Sequence, residues 1–206
     1  MSQIEVSTQE ARVRTSAQWW SEVRLDEERF VLWLRKQYHG EMLAWERVRK
    51  FANEFAPVGN RWRLPLLLIA TQEMKHAAWI AELLLNRHLE PEILSDKPER
   101  YWSKALDGVS SFEGLAAQAA WAELMRLERI RVIANDTEAP ADVRQVFLQI
   151  LVDEQFHAKA FTELAGDEAM KEAFSRHEAG MAAIGVAMET EEGHAPLIPD
   201  LAVGGD

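Results

Sequence analysis

The tetrads Glu73-Met74-Lys75-His76 and Glu154-Gln155-Phe156-His157 constrain this chain more than any other feature. Each reads Glu-x-x-His. On a helix, residues three apart share a face, so each carboxylate can reach the same point as its imidazole. A glutamate oxygen with a neutral imidazole nitrogen suits iron, manganese or zinc. Both tetrads sit inside apolar stripes. Leu66, Ile69, Glu73, His76, Ile80 and Leu83 recur at steps of three and four. Val143, Phe147, Ile150, Glu154, His157, Phe161 and Leu164 do the same. That spacing marks a buried helix face. A carboxylate on such a face costs several kcal/mol, as an order of magnitude, unless something pairs with it. A metal ion would offset that cost.

The halves of the chain repeat each other. Glu41 to Arg49 aligns without gaps on Glu123 to Arg131, and Glu73 to Ala77 aligns on Glu154 to Ala158. Glu41 precedes Glu73 by 32 residues, and Glu123 precedes Glu154 by 31. Each half therefore supplies one lone glutamate and one Glu-x-x-His. Glu46 and Glu128 also match, but they fall roughly 140° around the helix from Glu41 and Glu123 at 3.6 residues per turn. Glu41 and Glu123 are read as ligands, and Glu46 and Glu128 as surface or salt-bridging residues.

The helices follow from periodicity and breakers. A short helix is expected from about Gln9 to Arg24, docked by Trp19 and Trp20. The first long helix spans Asp26 to Phe55, and Ala56 to Asn60 is a turn. The second runs from Arg61 to His88, with Pro65 tolerated in its first turn. Residues 89–109 form a long link with a short helix at Arg100 to Leu106. The third long helix covers Ser111 to Asn135 and the fourth Ala141 to Ala165, where Gly166 stops it. Asp167 caps a fifth helix reaching about Glu189. One helical domain over 1–190, with its bundle core at 26–166, is followed by a flexible acidic tail at 191–206.

Four glutamates and two histidines from four helices are the ligand set of dinuclear carboxylate bundles. Over Asp26 to Gly166 the chain resembles the ferritin-like di-iron superfamily, and its rubrerythrin-like branch in particular. The resemblance implies an all-α four-helix bundle whose second and third helices run parallel, which the long link between them allows. It implies two iron ions, with manganese or zinc as alternatives, in a centre that reacts with dioxygen or peroxide. Glu41, Glu73, Glu123 and Glu154 would be terminal or bridging ligands, and His76 and His157 would each cap one metal. Rubrerythrins also carry a cysteine-ligated iron domain; this chain has no cysteine, so its electron donor would be separate.

Around the ligands, Asp153 and Gln72 hold matching places and are candidates to orient a histidine through its far nitrogen. Tyr38, one turn before Glu41, is a candidate hydrogen-bond donor or radical site, or a core aromatic. Trp45 reads as core, and His39, His88, His177 and His194 as surface residues. Before Glu123 stand Ala116, Ala117, Ala119 and Ala120, where the first half has the larger Leu34, Gln37 and Tyr38. Either the helices close in there, with Trp45 filling the gap, or an apolar pocket opens onto the metals.

The net charge of −11 argues against nucleic acid and anionic membranes. The absence of a signal-peptide core or a long apolar run leaves a cytoplasmic protein as the default. The first expectation is an oxidase or oxygenase, assembled as a homodimer, acting on a small molecule with an apolar substrate as one option. An iron-handling ferroxidase or mini-ferritin, or a bundle that has lost its redox work, are the alternatives.

Overall fold

The computed structural model describes residues 15–94 and 100–185, and their regular elements are all α-helices: α1 (Ser16–Arg24), α2 (Glu27–Phe55), α3 (Arg63–Leu85), α4 (Arg100–Ala105), α5 (Phe112–Asn135) and α6 (Ala141–Ile184). The expected tail at 191–206 and the end of the fifth helix past Gly185 lie outside the described residues, as do residues 1–14. Among the described residues no helix is long and apolar enough to cross a membrane.

Local chemistry sets the helix ends. Thr15 caps α1 by a reciprocal box with Gln18, which satisfies two otherwise unpaired donors at the head of that helix; the expected stretch from Gln9 to Arg14 lies outside the described residues. Asp26 accepts from the Arg29 amide at the head of α2, and Ser111 from the Gly114 amide at the head of α5. The carbonyl of Ala56, just past the end of α2, accepts from Arg63 at 2.8 Å. That bond ties the α2–α3 turn shut.

Two apolar clusters show how the helices run. One joins Phe30, Trp33 and Leu34 of early α2 to Ile80 and Leu84 of late α3, Ile130 and Ile133 of late α5, and Val143 and Phe147 of early α6. The other joins Val48 and Ala52, Leu66 and Ile69, Ala116 to Ala120, and Phe161 and Leu164. Each cluster gathers the late parts of some helices with the early parts of others. So α2 and α3 are antiparallel, α5 and α6 are antiparallel, and α3 and α5 are parallel. The link between the last two must travel the length of the bundle, as expected. Trp19 and Trp20 dock α1 on the first cluster, with the Trp20 indole donating to Asp136 at 2.8 Å.

At Gly166 the backbone leaves the helix (φ 74, ψ 163), a conformation open to glycine and strained for other residues. The chain turns there and runs back along α5. Gln118 donates to the Ala173 carbonyl at 3.1 Å and the Trp121 indole to the Met170 carbonyl at 3.0 Å. The returning segment carries His177, which is buried, against the surface position expected for it. Its Nδ1 lies 2.8 Å from the Tyr101 hydroxyl, and its ring stacks on Trp121. The expectation failed because the burial comes from α4 and from the reversal at Gly166, not from the periodicity of the segment itself.

The alanine-rich end is closed. Ala116, Ala117 and Ala120 have no exposed surface and pack against Leu66, Ile69 and Phe161, with Trp45 alongside. Of the two outcomes open for that end, close packing among the described residues is the one found.

Candidate metal centre

Between the two apolar clusters lies a polar layer. Glu41 comes from α2, Glu73 and His76 from α3, Glu123 from α5, and Glu154 and His157 from α6; all six are buried. Their ligand atoms fall into two overlapping groups. One is Glu41, Glu73, His76 and Glu154; the other is Glu73, Glu123, Glu154 and His157, and within each the atoms lie within 4.8 Å of one another. Glu73 and Glu154 belong to both. The structure brings together all six residues singled out in sequence. Glu46 is exposed, and Glu128 pairs loosely with Arg131 at 3.8 Å.

The imidazoles are held from behind. Nε2 of His76 lies 3.1 Å from Asp153 Oδ2, and Nε2 of His157 lies 3.2 Å from Gln72 Oε1. A carboxylate accepts only, so His76 carries its proton on Nε2. The Gln72 amide nitrogen donates to Asp153 Oδ1 at 2.7 Å, which turns Oε1 toward His157 and puts that proton on Nε2 as well. Both Nδ1 lone pairs then face the carboxylates. Each half orients the other half's histidine. Lys75 anchors Asp153 from outside at 2.7 Å.

Inside the layer, hydrogen bonding is incomplete. Glu41 Oε2, both oxygens of Glu73 and of Glu154, Glu123 Oε2, and Nδ1 of each histidine have no hydrogen-bond partner among the described residues. His157 Nδ1 is 3.2 Å from Glu73 Oε1 and His76 Nδ1 3.5 Å from Glu154 Oε1, without the alignment of a bond. Buried polar atoms left this way cost about 1–3 kcal/mol each. Converging carboxylate oxygens and imidazole nitrogens are the donor set for two divalent cations.

The ionisation of the layer reflects crowding. Burial, then the charge of Glu154, pushes the Glu73 carboxyl above its ordinary range. Burial with Glu154 and Glu73 pushes Glu123 up further. Burial would also raise Glu154, but the Arg126 guanidinium and the two histidines outweigh it and hold that group well below its usual value. Burial would lower both histidines; the neighbouring carboxylates, Glu154 first, outweigh it and raise them.

Arg126 is the residue that sequence reasoning missed. It reaches into the layer to contact Glu41, and its guanidinium lies 3.3 Å from Glu154 and 3.7 Å from Glu73. A signal existed: Arg126 stands three residues after Glu123, on the same face, and in the repeat it replaces Ala44. Tyr38 packs against the apolar cluster of Phe30, Trp33 and Phe147 and makes no hydrogen bond to a site carboxylate among the described residues.

The family model described as Rubrerythrin matches residues 33–165, the stretch that holds all six clustered residues and both halves of the repeat. Comparison with curated proteins and with solved structures gave no match.

Proposed function

Because the chain belongs to the rubrerythrin family, we propose that the buried layer is a dinuclear metal centre and that the protein is an oxidoreductase acting with dioxygen or peroxide. The observation that carries the reading is the convergence of unpartnered carboxylate and imidazole atoms from six residues on two overlapping points. Glu41 and His76 would serve one ion, Glu123 and His157 the other, and Glu73 and Glu154 both. The donors favour iron, with manganese next; zinc fits them but brings no redox change. Bound iron would supply electrons and open coordination positions to the oxidant.

The chain's own part is positioning and charge. Four carboxylates balance the charge of two divalent cations, which leaves the Arg126 guanidinium as the remaining charge at the layer. Asp153 and Gln72 fix the imidazole tautomers before any metal arrives. The apolar clusters on either side keep bulk water away. With no cysteine in the sequence, electrons would come from a separate donor. An iron-handling role has less support: five basic side chains line the cleft that reaches Glu123, a poor path for a metal cation.

Elemental analysis of natively purified protein tests the centre, with two metals per chain expected. Adding one equivalent of dioxygen or peroxide to the ferrous form under anaerobic conditions tests the chemistry. Less than one metal per chain would sink the proposal.

A further inference from the structure

A cleft of about 390 Å³ lies between α2, α4 and α5, and Glu123 of the buried layer forms part of its wall. Its charge opposes that of the molecule. The chain carries −11 overall, yet Lys36, Arg47, Arg100, Arg126 and Arg129 line this cleft, with Glu123 as the one carboxylate. Two of these cations are taken: Arg126 by Glu41 and Glu154, and Arg47 by the field of Glu123 and the Trp102 ring. Arg129 is not. It lies over the Trp19 ring at 5.5 Å, burial pulls its pKa down, and it has no carboxylate partner among the described residues. A half-buried guanidinium without an anion is costly to keep. Arg126 and Arg129 are three apart on α5, so both face the same space.

Most of the remaining wall is aromatic or apolar and includes Trp19, Trp33, Tyr101, Trp102 and Phe147. On the α2 side is Gly40, in mid-helix, where glycine weakens a helix. Its φ is not positive, and a Cβ built on it meets nothing within 4 Å. Neither backbone geometry nor crowding demands a glycine there. What the missing side chain does is leave the cleft open.

We propose that this cleft binds an organic monoanion with an apolar or aromatic body, its acid group held by Arg129 and its body between the tryptophans, beside the wall formed by Glu123. That such an anion is the substrate of the centre rests on the dinuclear reading; that the cleft binds it does not. Concave basic sites with low-dielectric walls concentrate anions, and guanidinium–carboxylate pairs add direction to the attraction.

The test titrates metal-loaded protein with 4-phenylbutyrate, its neutral amide, and inorganic phosphate, read by calorimetry and by tryptophan fluorescence. The carboxylate is expected to bind at least about tenfold more tightly than the amide or phosphate. Arg129→Gln should weaken the carboxylate about tenfold and leave the amide unchanged. Gly40→Leu should abolish binding of both, and circular dichroism should show its helices intact. Equal affinity for acid and amide, indifference to Arg129→Gln, or full binding in a folded Gly40→Leu protein would each overturn the proposal. Phosphate binding as well as phenylbutyrate would remove the organic body from it. Metal content is measured on the same samples. Two metals per chain without anion binding defeats the cleft alone, and anion binding without metal defeats the dinuclear reading alone.

Discussion

Gln72 and Asp153, each one position before a buried glutamate, are bonded to each other across the bundle, Gln72 Nε2 donating to Asp153 Oδ1 at 2.7 Å. The bond joins α3 to α6 and sets both histidines at once, because Asp153 also faces His76 and Gln72 also faces His157. Removing either partner frees one imidazole to turn. Asp153→Ala is expected to weaken metal binding by about 10- to 100-fold, measured by competition against a chelator of known affinity. Unchanged affinity would mean that the pair only staples two helices.

The shared membership of Glu73 and Glu154 in the two ligand groups gives a stoichiometric prediction. Glu41→Ala and Glu123→Ala should each leave about one metal per chain, since each glutamate belongs to one group. Glu73→Ala and Glu154→Ala should empty both subsites, and Glu46→Ala and Glu128→Ala should retain two. Elemental analysis decides. Full occupancy in Glu73→Ala would contradict the assignment.

Arg126 and the metals compete for the same oxygens. In the layer as folded, the guanidinium lies against Glu41 and Glu154, with its side chain 22% exposed. Two divalent cations would already balance four carboxylates, leaving Arg126 no charge to neutralise. Arg126→Met should therefore destabilise the chelated protein by about 3 kcal/mol and raise metal affinity. Denaturant unfolding and chelator competition read the two effects, which should have opposite signs. Loss of both stability and affinity would make Arg126 an ordinary structural cation.

How much of this was legible in the sequence depends on which forces act along one helix and which act between helices. Glu73, His76, Glu154 and His157 were readable because a buried stripe has a period, and polar residues inside it stand out. Glu41 and Glu123 followed from the repeat. Asp153 and Gln72 were identified by position, but their crossing of the halves depends on how α3 faces α6, which no single-helix pattern carries. Arg126 escaped because its long side chain reaches the layer from a position only partly buried. The closed alanine end and buried His177 depend on Gly166 turning the chain back, whereas the sequence marks Gly166 only as a stop.

Stability should respond to metal removal in a pH-dependent way. In the metal-free layer, Glu73, Glu123, His76 and His157 all have pKa values raised above their ordinary ones. A raised group contributes stability below its unfolded pKa and loses it as pH rises through the folded value. The four losses add, starting above the ordinary glutamate range and continuing past that of histidine. Metal binding, by contrast, strengthens as these protons leave. Chelation should therefore lower the melting temperature more at pH 8 than at pH 5. An equal drop at both would argue against a crowded carboxylate layer.

His177 gives the opposite dependence on the acid side. Burial lowers its pKa to about 4, and its Nδ1 faces the Tyr101 hydroxyl at 2.8 Å. Above the ordinary histidine value of 6.5 the ring is neutral in both folded and unfolded chains and has no effect. Between 6.5 and 4 the unfolded chain takes up a proton that the folded one refuses, so stability falls with pH and levels off below the folded value. The shift corresponds to a loss on the order of 3 kcal/mol. Comparison of loaded with chelated protein cancels this contribution, which keeps it separate from the metal-dependent one. His177→Phe should flatten the slope between pH 6.5 and 4, at the cost of an unpaired Tyr101 hydroxyl that lowers stability at every pH. If unfolding free energies of the metal-loaded variant keep the original slope, His177 takes up its proton in the fold as readily as in the unfolded chain, and the Tyr101 contact does not hold it neutral.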